Sequence, residues 1–363
     1  MKRARTPSTA KKAARRAARG AAAAALALAP SAAAVAPSTA RVAMPSPAAA
    51  ARPPILRLGA DNLVRGTFVQ RPSARNKSPY VGDVRLADGR VAICHMPSLD
   101  MGGKLRPGVE VLMKTSVDKS GAPIGADALG KYGTPKCEFI AQLLRCVEPE
   151  NADVGGVWVG AHPSIGEKVA DALLRGGELT DALGGGQIKA VAREVRNVAG
   201  TDMRCDFLLT HASGAATVVE VKTVVDTDYD PATAPQRDGC VFVGSSPYAR
   251  AAIFPWGKSN QAGPDGEKVV SARAIKHVRE LTAIASGERS LDDGTPLRAC
   301  VLFIVVRSDA VSFRPNAEAC PSFARYLGEA RDAGVTVLAR RVRWGEGDQL
   351  GAAIDEGNLP VDM

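Results

Sequence analysis

Short runs in which hydrophobic and polar residues alternate occupy the chain from about residue 61 to residue 147, and they predict an all-β domain. The predicted strands cover residues 81–87, 90–94, 109–115 and 137–147. Asp88-Gly89 lies between the first two strands and is a strong hairpin signal. Residues 121–133 are predicted to form a loop insertion. Several short strands with turn residues between them favour a small barrel.

From about residue 156 onward, helical periodicity alternates with strand-like runs, which predicts an α/β domain. Ser164 and Glu167 have the spacing of a capping box that opens a helix, and Ser271 precedes another helix with an apolar stripe. The predicted strands cover residues 191–198, 204–210, 217–222, 300–306 and 335–339. A Pro- and Gly-rich stretch at 226–266 interrupts the pattern, either as a lid over a site or as a surface insertion.

The first 60 residues contain 11 Lys or Arg and no acid, and Asp61 is the first acidic residue. The formal net charge of the chain is +9, so the remainder carries about −2 once this segment is set aside. A basic surface on the folded part must therefore be local. The acid-free composition, rich in Ala, Arg, Ser and Thr, is typical of a transit peptide. Residues 1–60 are predicted to be a transit peptide or a disordered tail, with a plastid (chloroplast) location.

Two alternatives remain for this segment. An unstructured basic arm has the same composition and would leave the protein in the cytoplasm or nucleus. Arg15-Arg16 followed by the alanine-rich run 21–29 also resembles a bacterial export signal. That run is too short and too weakly apolar to span a membrane, and no membrane partner is predicted. The seven cysteines form no Cys-x-x-Cys pair, which indicates a reducing compartment without a zinc site and argues against export.

The candidate chemistry lies on a predicted hairpin formed by residues 204–210 and 217–222. Folded about Ser213, this hairpin places Asp206 opposite Glu220, and strand alternation puts Lys222 on the same face as Glu220. Facing carboxylates need a cation. A divalent metal ion held by Asp206 and Glu220, with Lys222 beside it, is an arrangement for hydrolysing phosphodiesters. The alternative is a half-exposed hairpin with a solvated charged face, and a slip of one residue would turn Asp206 to the other face.

Two groups of basic residues are candidates for binding nucleic acid. The first group precedes Tyr80 in the barrel and comprises Arg71, Arg75 and Lys77. The second lies on the polar face of the helix after Ser271 and comprises Arg273, Lys276 and Arg279. Small barrels bind single strands with basic grooves and aromatic side chains, and basic helix faces contact phosphates. In both places the alternative is ordinary solvated charge, with Glu280 pairing to Lys276 on the helix.

Several motifs occur together in a characteristic order. They are Arg204-x-Asp206-Phe207, Glu220-Val221-Lys222, Lys276-His277-x-Arg279-Glu280-Leu281 and Val301-Leu302-Phe303-x-Val305-Val306-x-x-x-Asp309-Ala310-x-x-Phe313-x-Pro315. The combination resembles the sugar fermentation stimulation protein family (SfsA), which is named after a bacterial DNA-binding protein. The resemblance covers about residues 64–345, with two insertions.

This resemblance implies an α/β fold (α+β overall) in which a small OB-like β-barrel precedes a PD-(D/E)xK nuclease-like α/β domain. The implied domains are the tail 1–60, the barrel 61–150 and the nuclease-like domain 151–363, with an insertion near 226–266. Asp206, Glu220 and Lys222 match the metal and catalytic positions of such nucleases. Glu194 matches an acid of the family and is a further candidate metal neighbour.

The chain departs from the usual family pattern at three places. Residues 95–100 differ from the usual His-Cys-Pro-Asn-Thr-Gly, Gly166-Glu167 replaces Asn-Arg, and Trp256-Gly257 replaces the Asp-Ala that follows Phe254-Pro255. These changes resemble plant and algal members. Together with the tail, they suggest a plastid protein of a photosynthetic eukaryote.

The sequence therefore predicts a DNA-binding protein with an Mg²⁺- or Mn²⁺-dependent phosphodiesterase site. In this hypothesis Asp206, Glu220 and Lys222 are catalytic, and Asp206, Glu220 and Glu194 surround the metal ion. The alternative function is that of a non-catalytic DNA-binding or regulatory protein that retains the nuclease fold.

Overall fold

The structure is a computed structural model that describes residues 52–59, 62–98, 103–233 and 247–363. Most of the predicted tail, and residues 234–246 of the predicted insertion, lie outside these ranges. None of the described helices is long and apolar enough to cross a membrane. The six cysteines within the described ranges are free thiols.

The first half of the described chain forms a closed five-stranded barrel. In chain order the strands of this half are β1 (Leu56–Arg57), β2 (Leu63–Gln70), β3 (Val81–Arg85), β4 (Val91–His95), β5 (Glu110–Thr115), β6 (Phe139–Cys146) and β7 (Val157–Gly160). The barrel itself consists of β2 to β6. Neighbouring strands follow the order β4-β3-β2-β5-β6, and a parallel pairing of β4 with β6 closes the barrel. Apolar side chains such as Phe68, Val84 and Met113 fill its interior. The predicted barrel is thereby confirmed.

The second half is built around a seven-stranded mixed sheet. Its elements in chain order are α1 (Ser164–Gly176), α2 (Thr180–Leu183), β8 (Ile188–Arg196), β9 (Arg204–His211), β10 (Ala216–Val224), β11 (Asp226–Thr227), β12 (Ala251–Phe254), β13 (Gln261–Ala262), β14 (Lys268–Val269), α3 (Ala272–Ala285), β15 (Leu297–Val305), β16 (Ser312–Pro315), α4 (Pro321–Asp332), β17 (Thr336–Trp344) and β18 (Ala352–Leu359). The sheet order is β1-β18-β17-β15-β10-β9-β8, with β10, β15 and β17 parallel. Three short strands, β11-β12-β16, form a separate small sheet.

Helices cover both faces of the central strands. On β15, Val301 and Phe303 pack in the same apolar cluster as Ile275 of α3, whereas Leu302 belongs to the cluster that contains Leu173 of α1. Side chains alternate along a strand, so a strand that is covered on both faces is apolar at every position. This explains the continuous hydrophobic run from residue 300 to 306, which is fully buried. The predicted α/β domain is confirmed.

The domain boundaries need two corrections. Strand β1 falls inside the predicted tail 1–60, yet it pairs with β18 at the edge of the second sheet. Strand β7 falls inside the predicted second domain, which was to begin at residue 151, yet it pairs with β6 of the barrel. Both strands are short, and β1 pairs with a strand near the other end of the chain, so local patterning did not reveal these partners.

The two predicted helix starts differ in outcome. Ser271 caps α3 as predicted, because its side chain accepts a hydrogen bond from the Ala274 amide. The predicted capping box at Ser164 is wrong. Pro163 takes the capping position of α1 without a side-chain hydrogen bond, and the Ser164 hydroxyl lies 2.8 Å from Nδ1 of His162. The carboxylate of Glu167 therefore does not cap the helix.

Candidate functional site

The register of the β9–β10 hairpin brings the two predicted carboxylates together. Val219 pairs with Phe207, and continuing this antiparallel register sets Asp206 level with Glu220. Oδ2 of Asp206 accepts a hydrogen bond from the Val221 amide at 2.7 Å, which ties the carboxylate of β9 to the backbone of β10. Glu220 is 3% exposed, whereas Asp206 is half-buried. A pair of acids is therefore held at a partly covered position on the sheet.

One oxygen of Glu220 is fully engaged and the other is not. Oε1 accepts hydrogen bonds from Nζ of Lys222 and from Nδ1 of His277. Oε2 is buried and has no hydrogen-bond partner among the described residues. A buried carboxylate oxygen without a partner is costly in a folded protein. It is the kind of atom that a bound cation would satisfy.

His277 reaches this site from helix α3. Its Nε2 lies 3.5 Å from Nε of Arg273, which can only donate a hydrogen bond. The Nε2 atom must then accept, so Nδ1 carries the proton and donates it to Glu220. His277 is 5% exposed and fixes the orientation of the Glu220 carboxylate. The sequence contained this residue in the Lys276-His277 motif but gave no direct signal of the contact.

The two carboxyl groups have opposite pKa shifts. Burial and the nearby charge of Glu220 raise the pKa of Asp206 to about 6, and the Val221 hydrogen bond and the charge of Lys222 offset this only partly. Burial also opposes ionisation of Glu220, but the hydrogen bond from His277 and the charge of Lys222 outweigh it and lower the pKa of Glu220. Glu220 is therefore the more stable anion, and Asp206 is the group that takes up a proton first.

This shift predicts that Asp206→Asn stabilises the metal-free protein at pH 7. A folded-state pKa above the ordinary value means that ionised Asp206 costs stability, and the cost grows as the pH rises from about 4 to about 6. The expected gain in the free energy of unfolding is about 1–2 kcal/mol at pH 7 and vanishes near pH 4. Urea unfolding in EDTA at both pH values measures it. Asp202→Asn, at an exposed acid paired with Lys276, is the control and should give no such gain. Equal stability of parent and Asp206→Asn at pH 7 would contradict the proposed repulsion.

Glu167, which was predicted to be part of a capping box, instead contributes to the electrostatics of the acidic pair. Gly166 packs so tightly on β10 that an added Cβ would lie 2.1 Å from Oγ1 of Thr223, so glycine is required there. This close approach holds the first turn of α1 against Thr223 of β10. The negative charge of Glu167 contributes to raising the pKa of Asp206. The first turn of α1 thus adds a third acidic charge near the pair.

Glu194 lies on the strand beside Asp206, level with it in the antiparallel register of β8 and β9. It sits on the edge strand β8 with a φ of 53°, its side chain is 56% exposed, and its carboxylate lies 3.4 Å from Nη1 of Arg204. Within the described residues, no three His, Cys, Asp or Glu side chains group closely enough to hold a metal ion. Asp206 and Glu220 therefore form the candidate metal-binding pair, and the role of Glu194 as a further metal neighbour stays a prediction.

The predicted basic residues fall into two separate groups. Arg71, Arg75 and Lys77 lie in the loop between β2 and β3, where Arg71 donates to the Ser98 carbonyl at 2.8 Å. Arg273, Lys276 and Arg279 are exposed on α3. Of these, only Arg273 is linked to the acidic pair, through His277. Lys276 pairs with Asp202 at 2.7 Å.

Comparison with known proteins identifies relatives along most of this chain. A model described as the sugar fermentation stimulation protein RE domain matches residues 264–348. A sugar fermentation stimulation protein homolog of Syntrophotalea carbinolica is 30% identical over 285 residues, which cover 77% of this chain and 90% of the relative. A homolog of Geobacter sp. strain M21 is 29% identical over 281 residues, with coverage of 77% and 90%.

A solved structure shares the fold. The structure of Pyrococcus furiosus SfsA in complex with Ca²⁺ aligns with a TM-score of 0.55 and 20% sequence identity, covering 86% of this chain and all of that one. At this identity the likeness establishes the barrel and the nuclease-like sheet as a shared architecture. The sequence similarity to the bacterial homologs along nearly their whole length establishes more, and the chain belongs to the sugar fermentation stimulation protein (SfsA) family.

Proposed function

We propose that this protein binds DNA and hydrolyses phosphodiester bonds with an Mg²⁺ or Mn²⁺ ion held by Asp206 and Glu220. The observation that carries the proposal is the buried, unpartnered Oε2 of Glu220 beside a second carboxylate. Two carboxylates suffice for Mg²⁺, which keeps several waters and binds substrate phosphates as well. The relative from Pyrococcus furiosus was described in complex with Ca²⁺, another cation that prefers oxygen ligands.

The residues around the pair have distinct parts in this proposal. A divalent cation would supply Lewis acidity toward a phosphate oxygen. His277 holds Oε1 of Glu220 and leaves Oε2 free for the cation. The ammonium group of Lys222, on the same face, stabilises negative charge that develops on the reacting phosphate. Arg273, exposed at the outer end of the His277 contact, is placed to meet the nucleic-acid backbone.

Incubation with nucleic acid tests the proposal directly. The full chain is mixed with single- and double-stranded DNA and RNA, with Mn²⁺ or with EDTA. Cleavage that needs Mn²⁺ and disappears in both Asp206→Asn and Glu220→Gln would support the enzyme. Asp202→Asn is the matched control, because this acid is exposed and lies outside the pair.

One contact favours the non-catalytic alternative. Lys222 donates to Glu220, so the protein itself supplies a positive charge that compensates one of the two acids. A protein that only binds DNA could keep this pair for stability. Metal-independent DNA binding by the parent, without cleavage of any of the four substrates, would decide for this alternative.

His277 offers a sharper test of how the site is organised. Nδ2 of an asparagine occupies about the position of Nδ1 in histidine, so His277→Asn can still donate to Glu220, whereas His277→Leu cannot. We expect Mn²⁺ affinity to fall about 10- to 100-fold in His277→Leu, as for other groups that orient metal ligands, and to be largely retained in His277→Asn. Isothermal titration calorimetry with Mn²⁺ measures both. Equal loss in the two variants would show that packing, not the hydrogen bond, is what matters.

The basic tail provides a further prediction. We propose that residues 1–51 direct the protein to plastids and are absent from its mature form, so DNA binding must rest on the remaining chain. Deletion of residues 1–51, which spares β1, should leave salt-dependent DNA binding in place, because the exposed Arg and Lys groups of the barrel loop and α3 remain. Gel shifts at increasing salt measure it. Complete loss of binding would show that the tail alone binds DNA.

A further inference from the structure

Two loops of the barrel touch and form one continuous surface. They are the connection between β2 and β3, residues 71–80, and the connection between β5 and β6, residues 116–138. Nδ2 of Asn76 donates to the Pro135 carbonyl at 3.0 Å, and Nη1 of Arg75 lies 3.4 Å from the Ala126 carbonyl. In small barrels of the oligonucleotide-binding kind, loops at these two places in the strand order flank the ligand. We call the two segments together the loop pair.

The longer segment is built from tight, hydrogen-bonded turns. Isolated bridges join Val117 to Pro123 and Leu129 to Pro135. The amide of Gly130 donates to the Thr134 carbonyl at 2.8 Å, which closes the turn that carries Tyr132. The backbone of this segment is therefore held by its own hydrogen bonds.

The loop pair exposes an unusual share of apolar surface. Nine large hydrophobic side chains are exposed within the described residues, and four of them belong to the loop pair, namely Tyr80, Val117, Leu129 and Tyr132. Tyr132 is 86% exposed, more than any of the other eight. The ammonium group of Lys131 lies over its ring, 5.5 Å from the centroid. An exposed aromatic ring beside a cation is a stacking surface for a nucleobase.

The charge of the loop pair suits a polyanion. The two segments contain six Lys or Arg, two Asp and one Glu, and the carboxylate of that Glu138 pairs with Arg75 and with Arg90. One of the two Asp, Asp118, is occupied within its own turn, where Oδ1 accepts hydrogen bonds from the amides of Ser120 and Ala122. Exposed lysines at 119, 131 and 136 follow the same segment as Tyr132. A protein partner would not require this excess of positive charge.

We infer that the loop pair binds single-stranded nucleic acid, with Tyr132 stacking on a base and the neighbouring lysines contacting phosphates. Base faces are accessible in a single strand and hidden in a duplex, so the exposed ring selects the single strand. The inference rests on the proposed function, because it names the form of nucleic acid that the same protein holds. It adds a contact in the barrel, at residues 116–138, that is distinct from the acidic pair on β9 and β10.

The test compares three variants of the full chain by fluorescence anisotropy in EDTA, with a labelled oligo(dT) and a labelled duplex as probes. Tyr132→Ala should weaken oligo(dT) binding roughly 5- to 150-fold, the factor that corresponds to one base stack, and leave duplex binding near the parent value. Tyr132→Phe keeps the ring and should bind like the parent. Lys131→Gln should lower the salt dependence of oligo(dT) binding by about one counterion.

The outcomes separate this inference from the proposed function. If the parent binds neither probe, DNA binding itself fails and the inference falls with it. If the parent binds oligo(dT) and Tyr132→Ala binds equally well, only the inference is overturned, and the exposed apolar residues serve a protein partner instead. An equal loss of oligo(dT) and duplex binding in Tyr132→Ala would overturn the assignment to single strands.

Discussion

Lys222→Ala is expected to slow phosphodiester cleavage by about 10²-fold or more while the protein still folds, binds Mn²⁺ and binds DNA. The ammonium group lies on the face of β10 that carries Glu220 and is mostly buried, with 12% of the side chain exposed. A positive charge held in a partly dry site stabilises charge on a reacting phosphate more than it would in water. The rate of cleavage with saturating Mn²⁺ measures the effect.

Lys222 could instead serve only to neutralise the two acids, and the Lys222→Ala variant distinguishes this role from a catalytic one. If neutralisation were its only role, a bound metal ion would replace it, and Lys222→Ala would cleave at nearly the parent rate once Mn²⁺ is saturating. Lys189→Ala is the control, because Lys189 is an exposed lysine of the edge strand β8. A Lys222→Ala protein that matches this control in rate would remove Lys222 from the mechanism.

The hairpin of the candidate site could be predicted because its information is local. Two strand-like runs and a short turn between them fix the pairing of Asp206 with Glu220 to within a residue, and the structure has that register. Glu167 and His277 reach the site from helices that are distant in sequence. Their proximity follows from helix-on-sheet packing, which periodicity along the chain does not encode. Ser164 and Glu167 even carried a misleading signal, because a Ser-x-x-Glu pattern is common at helix starts.

The Pro- and Gly-rich stretch at 226–266 was predicted to be a lid or a surface insertion, but its first residues are part of the fold. Its described start contributes Asp226, Thr227 and Asp228, all buried, and β11 pairs with β12 in the small sheet. Lys104 of the barrel side, itself buried, bonds to Asp226. Charged residues in a Pro- and Gly-rich stretch predict solvent exposure, and only their partners elsewhere in the fold make burial tolerable. The beginning of this stretch is therefore a buried part of the fold and is neither a lid nor a surface insertion.

The largest stability effect is expected from Arg307→Met, which should lower the free energy of unfolding by about 3–5 kcal/mol. Arg307 is fully buried and forms two bonds to Asp309, at 2.6 and 2.7 Å, and a third to Glu148 at 3.2 Å. Arg250 also reaches Glu148, at 2.6 Å. Asp309 is one of the residues that carry the family resemblance, and these contacts give it a structural role that joins the end of the barrel to the small sheet.

The loss of stability would come from two buried acids, because the substitution removes the cation that both of them contact. Burial alone would raise the pKa of Asp309, but the guanidinium of Arg307 reverses this and lowers the pKa to about 2. Without Arg307, Glu148 and Asp309 remain buried with Arg250 as their nearest cation. The network should persist as the pH falls until Asp309 is protonated, so its contribution to stability is present above about pH 4 and is lost toward pH 2.

Urea unfolding at pH 7 measures the loss, with Arg331→Met as the matched control. Arg331 pairs with Asp332 on the surface, where both side chains are at least half exposed, and such pairs contribute at most about 1 kcal/mol. If Arg307→Met proves too unstable to isolate, Asp309→Asn, which keeps the shape of the side chain, should give a smaller loss in the same direction. The double variant should lose less than the two single losses together, because both substitutions break the same contact. Additive losses would mean that Arg307 and Asp309 stabilise the fold independently, and the buried network would then not be the unit that joins the barrel to the second domain.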